Sequence, residues 1–393
     1  MLPHLPWSEY LDLVLTHIEG TVYHSSHQSY KLVSSRKSIF CLQKLEDKPC
    51  ENRICIIHDC TQKRQTRSPV QNSNVLPAHR IFVVTLSVND LVVQYQSQGK
   101  KVQAVDHVSF SCKDNESIGI AGESGCGKST LGLAIMKTLQ ENASVAGEIL
   151  LDGRSILSMS DTEFTKEIRW KQVSMVFQGA MNSLDPVFTI KKQFEEILKK
   201  HNFSGDHKQA IEHAISSVGL VHSVLDKYPH EISGGMKQRV IIAMALILKP
   251  AMVIADEPTT ALDVLVQAQI MILLKKLKKE GLSIMLISHD LGIISEIVEK
   301  VGIMYAGQIV EFGNMEDIYK NPKHPYTIAL LDSIPKLNET KKITPLKGNP
   351  PSLVNPPTGC RFYDRCPQAM EKCKKDPPKI KTVSGFVMCW LHE

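Results

Sequence analysis

The sequence predicts an α/β fold over residues 81–321, preceded by an extension at 1–80 and followed by a cysteine- and proline-rich module at 322–393. Two observations carry that reading. Short apolar runs alternate with segments of helical period, the pattern of a sheet covered by helices. One such run, SIGIA, passes through the loop GESGCGKST into a helical stretch, the context a phosphate-binding loop requires.

In chain order, Leu86–Tyr95, Ser117–Ala121, Val173–Phe177, Met252–Ala255 and Ser283–Ser288 read as strands. A helix is expected over Leu131–Leu139, directly after the glycine-rich loop. Ile190–His201 and Lys208–Val218 are helical by pattern and make the stretch between Gln178 and Ser233 a helical subdomain. Ser233 reads as an N-cap, with two glycines softening the first turn and an apolar body at Val240–Leu248 that stops before Pro250. In Val264–Glu280 the residues Val266, Ile270, Leu273, Leu274 and Leu277 recur at helical spacing, and Gly281 follows as the cap.

Composition narrows the class. At 393 residues, 42% hydrophobic and 22% charged, the chain has ample material for a buried core. No apolar run is long enough to span a membrane, and the first thirty residues lack the basic start and apolar centre of a signal peptide. A net charge of +5 is mild and gives no reason to expect a nucleic-acid partner. The ten cysteines fall in clusters near 41–60 and 360–389, with Cys112 and Cys126 between them, which favours metal over disulfides in a reducing compartment.

Residues 122–130 carry the strongest chemistry. Gly122, Gly125 and Gly127 let the amides of the loop, which also holds Glu123, Ser124, Cys126 and Thr130, close around phosphate oxygens. Lys128 is placed for the terminal phosphates and the Ser129 hydroxyl for Mg²⁺. In MVIADEP, Asp256 emerges at the carboxyl end of a buried strand, where it would hold Mg²⁺ through water. Glu257 is then placed to orient or deprotonate the attacking water. Gln178 ends one strand within reach of metal or water, and His289 ends another, facing a γ-phosphate. Tyr95 ends a strand where it could stack on a nucleobase. Taken singly, each also fits an ordinary strand end. Ser233, Gly234 and Gly235 form a second anion nest, and the chain itself offers it no ligand.

The order Tyr95, GESGCGKST, Gln178, ISGGMKQR, MVIADE, the ALD turn at 261–263 and His289 resembles the ATP-binding subunits of ABC transporters, over roughly residues 86–321. That resemblance implies an ABC ATPase core that binds ATP and Mg²⁺ and dimerises head to tail. Ser233, Gly234 and Gly235 would then hold the γ-phosphate of an ATP bound to the partner's loop, and Asp263 would join the nucleotide site. Met236 departs from the commoner glutamine of that signature, while the Ser-Gly-Gly is intact. NPKHPYTIALLDSIP and PLKGNPPSLVNPPTGCRFYDRC resemble the C-terminal region of oligopeptide/dipeptide permease ATPases, D-type. The implied function is ATP hydrolysis coupled to import of di- or oligopeptides. The implied assembly has a second, non-identical ATPase subunit, two membrane permease subunits and an extracytoplasmic binding protein. The chain would lie peripherally on the cytoplasmic face of the membrane. Oligosaccharide or nickel uptake by the same machinery, or a soluble ABC ATPase outside transport, are the competing readings.

Cys360, Cys366, Cys373 and Cys389 sit at spacings of five, six and fifteen residues, wider than zinc-ribbon pairs. Four thiols suit a [4Fe–4S] cluster, and the resemblance points the same way; a zinc site or a set of buried free thiols are the alternatives. In the N-terminal extension, Cys50, Cys55 and Cys60 lack the close pairing of a zinc knuckle. The extension reads as disordered or as an over-long gene model, with a start near Val84.

Overall fold

The computed structural model describes residues 84–97, 99–333 and 348–393, together with three strands nearer the N-terminus. The chain divides into two compact units, Met1–Arg80 and Ile81–Glu393. In the first, β1 (Val22–Ser25), β2 (Gln28–Ser35) and β3 (Ile39–Lys44) form an antiparallel meander. The sequence shows no sustained strand period there, so these strands were not expected. Cys50, Cys55 and Cys60 lie outside the described residues.

The second unit is built on two sheets. The smaller is antiparallel, in the order β5-β4-β7-β8, from β4 (Leu86–Ser97), β5 (Lys100–Cys112), β7 (Ala143–Leu151) and β8 (Arg154–Ser155). The larger has eight strands. Its centre is parallel: β6 (Ile118–Ala121), β9 (Val173–Val176), β10 (Met252–Asp256), β11 (Ser283–Ser288) and β12 (Lys300–Tyr305), in the order β12-β6-β11-β10-β9. Antiparallel strands β13 (Gln308–Asn314), β15 (Phe386–Met388) and β14 (Lys379–Lys381) continue it beyond β12. Every residue of β6, β9, β10 and β11 is buried, as in a parallel sheet covered on both faces; this is why those strands read as largely apolar runs.

One core joins the two sheets. Val88, Leu91, Val105 and Val108 from the antiparallel sheet meet Ile120, Ile254 and Ile287 from the parallel one, and Leu131 and Ile135 of the helix Lys128–Ile135 belong to the same cluster. That helix stops earlier than the sequence suggests. Lys137 turns left-handed (φ 50°), which breaks the helical ladder at Met136.

Between β9 and β10 lies the helical segment. Ile190–Lys200 is capped by Thr189 and buries Ile190, Phe194 and Leu198 on one face; His207–Ser217 is capped by Asp206 and buries Ile211, Ala214 and Ile215. Gly234–Leu246 follows, capped by Ser233, and is tied to the core where the Trp170 indole N–H donates to the Met244 carbonyl (2.9 Å). The C-terminal residues are woven into this unit. Beyond β14 and β15, the Gln103 amide donates to the Leu353 carbonyl (2.8 Å) beside a bridge between Val102 and Val354.

Candidate functional site: a phosphate loop and its acidic wall

The loops that follow β6, β9, β10 and β11 carry the site, at the carboxyl ends where open parallel sheets hold ligands. After β6, residues 122–127 turn into the helix Lys128–Ile135. Two glycines are compulsory here. A Cβ on Gly122 would lie 2.1 Å from the Met304 carbonyl oxygen, and one on Gly127 (φ 107°) 2.0 Å from that of Ala104. Lys128 is buried, and its ammonium donates to the carbonyls of Gly122 (2.8 Å) and Glu123 (2.9 Å). The cation is thus held over the loop's own opening. Cys126 is buried at the loop's centre, where burial pushes its thiol pKa up. Ser124 and Gly125 are exposed, and Ser129 and Thr130 are half-buried in the helix's first turn.

Opposite stands the acidic end of β10. Asp256 is 2% exposed; burial raises its pKa, and a hydrogen bond from the Ser129 hydroxyl works against that rise. Its Oδ1 is buried with no partner among the described residues. Such an orphaned oxygen beside a serine hydroxyl fits a hard cation with oxygen ligands.

Glu257 comes next, in the left-handed region (φ 46°), a strained conformation for a residue with a side chain. Its carboxylate is held from three directions. Gln178 Nε2 (3.0 Å) and the Thr260 hydroxyl (2.9 Å) donate to Oε2, and His289 Nδ1 lies 3.1 Å from Oε1. Burial acts to raise its pKa, but the hydrogen bonds from His289 and Thr260, with the charges of His289 and Lys128, outweigh it, and the pKa lies below the ordinary carboxylate value. The structure therefore brings Gln178, Glu257 and His289 into one cluster, with Asp256, Ser129 and Lys128 in a second beside it. Thr260 belongs to the first cluster and went unremarked in the sequence, where it reads only as one of a threonine pair in a turn.

Tyr95 is placed differently from expectation. It lies within β4, which runs on to Ser97, and it packs partly buried against the core. Ser233 caps its helix by accepting from the Met236 amide (3.3 Å), and Gly234 beside it is exposed. Among the described residues no hydrogen bond joins Ser233, Gly234 or Gly235 to residues 122–130, so the second nest stands apart from the first. Asp263 caps the helix Val264–Lys279, its Oδ1 accepting from the Val266 amide (2.9 Å).

This constellation matches a known family. Residues 105–260 match the ABC transporter family, and residues 310–373 match the oligopeptide/dipeptide transporter C-terminal region. The dipeptide transport ATP-binding protein DppD of Caldanaerobacter subterraneus subsp. tengcongensis is 41% identical over 319 residues, covering 79% of this chain and 98% of that protein. The chain belongs to the ABC transporter ATP-binding proteins, in their oligopeptide/dipeptide branch. The oligopeptide transport ATP-binding protein OppD of Escherichia coli (42%; 81% of this chain, 96% of OppD) and DppD of Bacillus subtilis (43%; 78% and 95%) agree. Among solved structures, the dimeric ATP-binding cassette MJ0796 bound to ADP and Pi superposes with a TM-score of 0.53 at 27% identity, over 58% of this chain and 98% of that one. CbiO1 of Clostridium perfringens gives 0.51 at 27% identity, over 60% and 90%. This ABC protein is accordingly an ATPase subunit. Among its described residues no helix is long and apolar enough to cross a membrane.

The C-terminal cysteines come together more than their spacing suggests. Cys360, Cys366, Cys373 and Cys389 are all free thiols, and all four line one small apolar cavity with His324 and Phe362. Burial, then the neighbouring thiols, pushes the Cys360 pKa up to about 11. Among the described residues no three His, Cys, Asp or Glu side chains are gathered closely enough to hold a single metal ion.

Proposed function

We propose that this chain is the ATP-hydrolysing subunit of an importer for di- or oligopeptides. The observation that carries the reading is its 41–43% identity to dipeptide and oligopeptide transport ATP-binding proteins over nearly their whole length. The match of residues 310–373 to the oligopeptide/dipeptide transporter C-terminal region supports it over nickel, sugar or non-transport readings.

The site residues take roles that follow from their geometry. Lys128 leaves the loop carbonyls for the β- and γ-phosphates, and the amides of Gly122–Thr130 cradle them. Ser129, Asp256 and Gln178 would hold Mg²⁺, which offsets the phosphate charge. Glu257, kept ionised by its hydrogen bonds, accepts the proton of the attacking water, while Gln178, Thr260 and His289 fix its orientation. Ser233, Gly234 and Gly235 offer their free amides, and Asp263 its turn, to the ATP of a second ATPase subunit. Two permease subunits and an extracytoplasmic binding protein complete the assembly, with this chain peripheral on the cytoplasmic face.

Four thiols line one cavity, and four thiolates are the complement a [4Fe–4S] cluster takes. The cluster's part would be to staple the C-terminal region. Anaerobic purification should give a brown protein with about four irons per chain, lost in Cys366→Ser; zinc without iron would reject the cluster. The transport reading is tested by expressing the chain with its genomic neighbours. Co-purification with two membrane proteins, and ATP hydrolysis stimulated by a peptide-loaded binding protein, are expected. Stimulation by nickel or an oligosaccharide instead of peptides would overturn the substrate assignment.

A further inference from the structure

We infer that the C-terminal region is part of the ATP site's scaffold, with Arg365 acting as a positioning residue for the phosphate loop through Glu123. Glu123 is the second residue of that loop, and three parts of the chain hold it. Its carboxylate takes a two-pronged ion pair from Arg365 (2.8 and 2.9 Å). Its amide donates to the Tyr326 hydroxyl (3.0 Å), and its carbonyl accepts from the Lys128 ammonium (2.9 Å). One residue therefore ties the lysine that meets phosphate to a guanidinium 242 positions away.

The fork itself is fixed. The Arg365 side chain is 6% exposed, also donates to the Tyr305 hydroxyl (3.2 Å) and lies over the rings of Tyr305 and Phe362. Tyr305 and Tyr326 pack at 4.6 Å between ring centres, and both are fully buried. A second brace runs alongside. Arg361, 8% exposed, pairs with Asp106 and donates to the Ala306 carbonyl, and the next residue, Gly307, donates its amide to the Cys126 carbonyl (2.8 Å). The phosphate loop is thus gripped at Glu123 and at Cys126 by groups whose own positions depend on the C-terminal region.

Two physical effects follow. A loop already held in its binding shape loses less conformational freedom when ATP arrives. The carboxylate of Glu123, next to a site for a polyanion, is neutralised by a bidentate guanidinium, and without it the negative charge would repel the incoming phosphates. The second effect separates this role from mere stability. Removing Arg365 should harm ATP binding most while Glu123 keeps its charge.

The test uses the full chain and a fluorescent ATP analogue, with thermal melts to check folding. Arg365→Gln should raise the analogue's Kd by about tenfold, and Arg365→Lys, which keeps the charge and loses the fork, by less. Glu123→Gln combined with Arg365→Gln should bind more tightly than Arg365→Gln alone. In the assembled complex, kcat at saturating ATP should stay within about twofold while KM rises. Equal Kd in wild type and Arg365→Gln, or a double variant weaker than Arg365→Gln, overturns the inference. If Arg365→Gln melts below the assay temperature, the same comparison is made at a temperature below the melts of both variants. The inference rests on ATP being the ligand of residues 122–130: a folded wild-type chain that binds no analogue overturns both, whereas equal affinities remove the role of Arg365 alone.

Discussion

Gln178 donates its amide to the same Glu257 oxygen that accepts the Thr260 hydroxyl, while His289 lies against the other oxygen. Gln178 lies two residues beyond β9 and Glu257 directly follows β10, so the contact links the start of the helical segment to the residue proposed to activate water. Glu257→Gln keeps the shape and loses the base. It should leave ATP binding intact and slow hydrolysis by about two orders of magnitude or more. Turnover of the assembled complex measures this, and near-normal rates would remove Glu257 from its role.

His289 supplies the largest of the interactions that lower the Glu257 pKa. With the folded pKa below the ordinary 4.5, the carboxylate stays charged and active as the pH falls to that value, and its activity fades only below it. His289→Ala removes that hydrogen bond, so the acidic limb of the pH–rate profile should move to higher pH. A profile that keeps its acidic limb in place would contradict the coupling.

The Lys128 ammonium rests on two carbonyls of its own loop, ready to exchange them for phosphate. Lys128→Ala should abolish productive ATP binding, and equilibrium binding of a fluorescent ATP analogue checks it. Gly127→Ala should fail for a different reason, since its methyl would sit 2.0 Å from the Ala104 carbonyl oxygen at a left-handed φ. Here the melting temperature should fall together with affinity, whereas Lys128→Ala should weaken binding without such a fall.

Buried His324 gives a stability prediction. Burial lowers its pKa from 6.5 to about 3, so the folded chain keeps it neutral where the unfolded chain would protonate it. Its contribution is complete above pH 6.5 and is lost as the pH falls from 6.5 toward 3, at up to about 1.4 kcal/mol per pH unit. In melts at pH 7.5 and 5.5, His324→Asn should lose less stability on acidification than wild type. An equal loss would show that other groups govern the acid limb.

Much of the candidate site is legible in the sequence because its residues sit at or just beyond the ends of fully buried parallel strands, whose apolar runs stand out. Ser283–Ser288 is found at the expected bounds, and Ser233 is the N-cap its sequence suggests. β4 continues two residues past Tyr95, the strand end that the sequence suggests, because it is tied to both neighbours and no local signal marks where such pairing stops. Strands β14 and β15 have three residues each, too short for any period to show. The Glu123–Arg365 pair was hidden differently: both residues stand inside recognised motifs, but only the folded sheet brings positions 242 apart together.

That separation matters while the chain is being made. At about 5–20 residues per second, Arg365 leaves the ribosome roughly 12–50 s after Glu123. For most of that interval the loop has its lysine but neither Tyr326 nor the guanidinium, and once β13 has emerged its edge waits for β15. An emerging chain would meet the cell's ATP with an unpaired carboxylate beside its binding loop and an open strand edge. Full nucleotide affinity is then acquired late in synthesis, when the far end of the polypeptide folds back onto its first motif.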